Sequence, residues 1–200
     1  MPLRRAIVTS VATAALAAAA IVQPAAESPV RVLVQTERGD IVLEIDATHA
    51  PITAANFLRY VDAGHYDGGT FHRTVTMDNQ PDSPVKIEVI QAGVNPDRAK
   101  DGFPPIPLER TSLTGLRHTD GTISMARGQP DSASSGWFIC VNDQPSLDFA
   151  GARNPDGQGF AAFGRVLQGM DVVRAIQRAP NTDAQRLTPP IKIVRAARIR

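Results

Sequence analysis

Residues 70–75 read TFHRTV. Thr70, Phe71, Thr74 and Val75 favour the pleated, half-buried setting of a β-strand. The middle of the stretch nevertheless holds His72 and Arg73. Side chains alternate along a strand, so the spacing predicts Phe71, Arg73 and Val75 on one face and Thr70, His72 and Thr74 on the other. Arg73 then stands between two apolar neighbours. Either it is a charge on an edge strand, where charge blocks unwanted pairing, or it is a guanidinium held over an apolar floor and aimed at a ligand.

The flanking sequence supplies more strands. VRVLVQTE (30–37) and GDIVLEID (39–46) both alternate and are joined through Arg38-Gly39, the signature of a hairpin. Residues 50–63 change to helical spacing through Ile52, Ala55, Phe57 or Leu58, and Val61 or Asp62, with Pro51 suited to a first turn and Gly64 to a stop. VKIEVIQAG (85–93), GTISMAR (121–127), GWFICVN (136–142), FAAFGRVL (160–167) and IKIVRAARI (191–199) read as further strands. Residues 94–120 read as loop, and 169–179 as a helix with Val172, Val173 and Ile176 on its apolar side. About eight strands and two helices in one domain, punctuated by 15 glycines and 16 prolines, point to a mainly β protein: a sandwich or a closed barrel. A barrel stoppered at both ends by helices fits the count.

Composition narrows the function. A chain that is 42% hydrophobic and 20% charged forms a real core. A net charge of +1 gives no support for a nucleic-acid surface, which needs a basic excess on one face. Residues 1–26 run from MPLRR through the uncharged AIVTSVATAALAAAAIV into the first four residues of QPAAE, the layout of a secretory signal peptide with a cut near Ala20–Ala26. The expectation is a domain at 27–200, periplasmic or secreted, with no stable membrane insertion after cleavage; the alternative is an anchor that stays uncut. Cleavage removes Arg4 and Arg5 and turns the net charge from +1 to −1. The sole cysteine, Cys140, has no partner and sits in the apolar run WFICV, which suits a buried inert thiol.

The strand TFHRTV is followed, in order, by Gln91-Ala92-Gly93, by GTISMA (121–126), WFIC (137–140) and Leu147-Asp148, and by FGRV (163–166) with GMDVV (169–173). This ordered set resembles the cyclophilin family of peptidyl-prolyl cis-trans isomerases over the chain from about Val30 to the end. The resemblance implies a closed eight-stranded antiparallel barrel capped by two α-helices, with the active groove on the outside of the barrel. It implies a member that isomerises X–Pro bonds in proline-containing polypeptides; together with the leader-like segment 1–26, the expectation is an exported bacterial protein that acts on folding chains. A monomer without nucleic-acid partner is expected. No cofactor or metal is required, because no bond is broken. The barrier of roughly 18–20 kcal/mol is amide resonance, and the catalyst favours the twisted state whose lone pair sits on nitrogen.

By the resemblance, Arg73 is the catalytic arginine that donates toward that nitrogen, and its rigid, permanently charged fork suits the task. Gln91 matches a glutamine that binds the substrate backbone, Phe138 the floor of the proline pocket, Val89 and Leu147 its walls, and Ala126 a backbone contact in the adjoining groove. An acceleration of 10⁵-fold needs about 7 kcal/mol. One preorganised donor supplies roughly 3–4 kcal/mol, so the pocket must supply the rest. The groove also diverges. The family's pocket phenylalanine falls at Glu88, its Pro-Gly-Phe link is replaced by TMDNQPDSPVKI, and its second glutamine falls at Gly136. Its tryptophan falls at Ser146, its pocket histidine at Phe160, and the asparagine after Ala126 is Arg127. Phe160 can still line a proline pocket, whereas Gly136 offers no side-chain hydrogen bond; the loss of the tryptophan argues against tight cyclosporin binding.

Other chemistries find little support. Ser132, Ser134 and Ser135 lack a nucleophile-elbow pattern, and His49, His65, His72 and His118 lack paired metal-ligand spacing. The rival that remains is a catalytically weak module of the same fold that binds proline-containing peptides.

Overall fold

The amino-terminal hairpin forms as its alternation requires. β1 (Val30–Thr36) and β2 (Gly39–Ile45) pair antiparallel from Val30 opposite Ile45 to Thr36 opposite Gly39. Gly39 turns the chain at φ +130°, a conformation that suits glycine. Val32, Val34, Ile41 and Leu43 are fully buried, and the residues between them face outward. The computed structural model describes residues 29–182 and 185–200; the leader-like segment 1–26 lies outside them.

The remaining elements are α1 (Pro51–Asp62), β3 (Thr70–Val75), β4 (Val89–Gly93), the one-turn helix α2 (Thr111–Thr114), β5 (Thr122–Met125), β6 (Trp137–Cys140), β7 (Ala161–Gln168), α3 (Met170–Gln177), β8 (Asn181–Thr182) and β9 (Arg186–Ile199). The strands lie in the order β1-β2-β7-β5-β6-β4-β3-β9, every pair is antiparallel, and β9 returns to pair with β1. This closes an eight-stranded barrel with no free edge. The short β8 is an addition outside the closed circuit, paired only to the start of β9. That pairing explains why β9 begins at Arg186 rather than at the expected Ile191.

Three further expectations are corrected. In α1 the buried residues are Thr53, Ala54, Asn56, Phe57, Leu58, Tyr60 and Val61, while Ile52 is exposed and Ala55 faces solvent; the buried face is rotated by about one residue from the expected one. β4 starts at Val89, not Val85, because Gln80 takes both backbone groups of Ile87: its Nε2 donates to the carbonyl (2.7 Å) and its Oε1 accepts from the N–H (3.3 Å). Residues 94–120, expected as loop, contain a 3-10 turn at Pro96–Asp101 as well as α2.

The barrel interior holds the main core. Phe57 of α1 reaches Tyr66, Trp137 and Phe163, with ring centroids 5.4, 5.5 and 5.1 Å away, so one helix residue ties itself to β6 and β7. α3 carries Val173 and Ile176, both fully buried, against β2, β3 and β4. No helix among the described residues is long and apolar enough to cross a membrane. Phe57→Ala should destabilise the fold by about 3–5 kcal/mol, read as a lower urea midpoint at unchanged slope.

Candidate active site

The site begins with a break in the ladder. β3 pairs with β4 as Phe71 opposite Ala92 and then Arg73 opposite Gln91, with a register shift between them that leaves His72 as an extra residue. Such a bulge flips the side-chain parity of the strand. Phe71 therefore points into the barrel, fully buried, with its ring 5.6 Å from Trp137. Arg73 and Val75 point outward. This corrects the reading that put Phe71 on the same face as Arg73.

Directly opposed residues in a sheet share a face. Arg73, Gln91, Phe138 and Ser124 face one another in turn across β3, β4, β6 and β5. The next row is Val75, Val89 and Cys140. These rows support a second apolar cluster outside the barrel, made of Val75, Ile87, Val89, Phe138, Cys140 and Leu147, with Ala126 and Phe160 packed on it. Above it lies a cavity of about 240 Å³. All seven residues singled out in the sequence line it: Arg73, Val89, Gln91, Ala126, Phe138, Leu147 and Phe160. A larger depression, about 750 Å³, adjoins Arg73 on the β9 side; the smaller one is marked out by its chemistry, an apolar floor beneath convergent donors.

The guanidinium of Arg73 is fixed from two sides. Its Nη1 donates to Gln91 Oε1 at 2.9 Å, and its Nε and Nη2 donate to Gln185 Oε1 at 2.8 and 2.5 Å. Burial pushes its pKa down and the nearby charge of Arg153 adds to the shift, but an arginine stays charged throughout. Gln185, in the turn before β9, was not foreseen from the sequence. Nothing in its local pattern signals a partner 112 positions away.

Beneath the floor lies a buried polar bracket. The His118 ring stacks under Phe138 (6.2 Å, 16°), with Nδ1 2.7 Å from Asp148 Oδ1 and Nε2 2.9 Å from Ser124 Oγ. Burial pushes the Asp148 carboxyl up, but hydrogen bonds from His118 and Arg117 outweigh it and hold the carboxyl below its ordinary value. Ser124 and His118 are sealed under Phe138, so the trio cannot meet a substrate; it fixes the ring. Phe160 stands edge-on to Phe138 at 5.3 Å, held by its own N–H to the Leu147 carbonyl (2.9 Å). Burial pushes the Cys140 thiol well up, consistent with an inert packing role.

Two loops complete the rim. In the insertion after β3, Asn79 and Gln80 bond back to the chain at Thr74, Thr76 and Ile87. Arg153 Nη1 pins the same loop through Gln80 Oε1, Ser83 Oγ and the Val85 carbonyl at 3.1, 2.7 and 2.5 Å. The apolar place assigned to Glu88 is filled by Ile87, while Glu88 turns away to Asn142 and Gln177. Arg127 lines the pocket as well, and its side chain is charge-matched by Asp156 at 2.8 and 2.9 Å. The Gly136 carbonyl accepts from the Ala126 N–H (2.9 Å), and a Cβ at Gly136 would meet only Ala126 Cβ at 3.5 Å and Ala92 O at 3.9 Å. No group of three or more histidine, cysteine or acidic residues is placed to hold a metal among the described residues.

Known proteins share the sequence pattern and the fold of this chain. The sequence profile of the family described as cyclophilin type peptidyl-prolyl cis-trans isomerase/CLD matches residues 31–198. The chain is 40% identical to peptidyl-prolyl cis-trans isomerase cyp18 of Streptomyces antibioticus over 71% of this chain and 80% of that protein. It is 36% identical to peptidyl-prolyl cis-trans isomerase B of Escherichia coli, with the same coverage. A probable peptidyl-prolyl cis-trans isomerase of Brucella abortus is 30% identical over 96% of this chain and 94% of its own length. Among solved structures, a cyclophilin type peptidyl-prolyl cis-trans isomerase of Cryptosporidium parvum superposes with a TM-score of 0.68 at 20% identity, covering 86% of this chain and 99% of that one. A second structure of that protein was determined in the presence of the dipeptide Ala-Pro.

Two outcomes follow from the site's bonds. Gln185→Ala leaves Arg73 with Gln91 alone; hydrogen bonds to charged groups contribute roughly 1.5–3 kcal/mol, so the Arg73 Nε proton should exchange with water at least about tenfold faster by NMR. Hydrogen bonding from Arg127 lowers the Asp156 pKa from 3.8 to about 2. A carboxyl whose pKa is lowered by folding adds stability above its unfolded pKa and loses it as pH falls through the folded value. The stability gap between the wild type and Asp156→Asn should therefore be constant above about pH 5 and shrink between pH 4 and 2, measured by urea midpoints across that range.

Proposed function

We propose that this chain, which belongs to the family of cyclophilin-type peptidyl-prolyl cis-trans isomerases, accelerates X–Pro rotation by arginine-assisted loss of amide resonance over an apolar proline pocket. The observation that carries the reading is Arg73, turned out of the barrel by the His72 bulge and held over the Phe138 floor by two glutamines. In this reading the proline ring rests on Phe138 between Val89, Leu147, Ile87 and Phe160. The pocket removes water from the bond and strengthens every dipole near it. Arg73 donates toward the prolyl nitrogen as the lone pair localises there, an interaction made only in the twisted state and hence one that raises the rate. Because the Oε1 of Gln91 accepts from Arg73, its Nε2 is left to donate to a substrate carbonyl. Ala126 offers backbone along the adjoining groove.

The same reading extends to where the enzyme acts. The signal-like segment 1–26 and the single buried cysteine support an exported protein that assists slow X–Pro steps in folding chains, periplasmic or secreted. Gly136, where the resemblance expects a glutamine, favours one alternative: a weak catalyst that chiefly binds proline-containing segments.

Exchange NMR on short X–Pro peptides separates the two. The protein should speed cis-to-trans relaxation, and Arg73→Ala should lower the catalysed rate about 10²-fold or more, the typical loss for one preorganised donor. Absence of acceleration across several residues before proline, with peptide shifts still perturbed, would overturn catalysis in favour of binding.

A further inference from the structure

Three arginines line the pocket: Arg73, Arg127 and Arg153. They differ in how their charge is met. Arg127 lies against the Asp156 carboxylate. Arg153 has no carboxylate partner among the described residues; its bonds go from Nη1 alone, to a glutamine oxygen, a serine hydroxyl and a backbone carbonyl. Its Nη2 and Nε make no hydrogen bond among those residues. The next residue, Asn154, also lines the pocket, and its Nδ2 is a buried donor without a partner. A buried donor left unpaired is costly, and a half-buried cation beside another arginine is repelled by it. Both conditions call for a ligand rich in acceptors and negative in charge, and a carboxylate answers both at once.

We infer that Arg153 and Asn154 form an anion subsite at the edge of the proline pocket, so that the preferred substrate carries an aspartate or glutamate next to its proline. The Nη1 edge of Arg153 holds the insertion in place and thereby fixes the direction of the remaining edge, a preorganised receptor rather than a mobile surface charge. The inference rests on the isomerase reading for its substrate, but its test does not depend on turnover.

The experiment compares X–Pro peptides that differ only in the residues flanking proline, with Glu, Gln or Lys before it and, in a second set, after it. The wild type should favour Glu over Gln by about tenfold in kcat/KM at low salt, with Lys below Gln. The ratio should fall toward one in 0.5 M salt, because the interaction is partly solvent-screened. In Arg153→Gln the Glu-to-Gln ratio should collapse, and in Arg153→Lys much of it should return. Equal rates for Glu and Gln in the wild type, or a preference that survives Arg153→Gln, would overturn the subsite while leaving isomerisation intact. If no peptide is turned over, the isomerase reading fails and the same ratio is read from peptide affinities by chemical-shift titration; an acid preference lost in Arg153→Gln still supports the subsite, and none overturns it.

Discussion

One extra residue in β3 decides what the outer surface of this barrel can do. A strand with strict alternation would place Phe71 and Arg73 on the same face. Either an aromatic ring would be stranded outside or a guanidinium would be driven into a core of Trp137, Ile90 and Phe57, where an unpaired charge is costly. The bulge at His72 removes the conflict. Phe71 keeps its contact with Trp137 inside, and Arg73 emerges two positions later beside Val75 outside. Bulges bend a strand and re-aim side chains, and here the re-aimed side chain is the guanidinium that two glutamines hold at the groove.

The sheet at this point is buried on both faces. Trp137 and Ile139 of β6 fill the barrel while Phe138 and Cys140 floor the groove, and all four are buried. A strand covered on both sides has no reason to alternate, which accounts for the unbroken run WFIC. The floor is made stiff by what lies under it. His118 is held between Asp148 and Ser124 and lies flat against Phe138, so the ring cannot tip without breaking a buried, fully bonded network. The proposed selection of a twisted peptide bond calls for such a floor, since a yielding wall would accept planar and twisted forms alike.

Much of this was legible in the residues, and the remainder was not for identifiable reasons. Alternation in 30–46 and the change of period at Ala50 give the hairpin and the first helix, because burial of one face imposes its period on the sequence. The ordered motifs of the cyclophilin resemblance lead to seven residues that prove to line one cavity. Periodicity cannot show the bulge, since inserting one backbone residue alters geometry and leaves composition untouched. It cannot show that Ile87 rather than Glu88 faces the floor, because the strand begins only at Val89 and Gln80 takes over the backbone of Ile87. Gln185 and Arg153 reach the site from loops whose local sequence is ordinary; their meaning appears only when β9 closes the barrel and the 149–159 loop folds over the insertion.

The partners of the arginines carry a further lesson about charge. A carboxylate holds a guanidinium firmly, and it also neutralises the field that the guanidinium presents. Arg127 is held in this way by Asp156, and it props Phe160 from 5.3 Å as a packing element. Arg73 is held by two amide oxygens, which fix its fork just as directionally without cancelling its charge. In the role proposed for Arg73, responding to a lone pair that forms on a substrate nitrogen, orientation and an undiminished field are needed together. Neutral acceptors are the arrangement that grants both, and the desolvation of Arg73 that results is tolerable because every bond it makes is charge-assisted. Arg153 follows the same rule: its Nη1 is tied to neutral groups and its charge is left open to the groove.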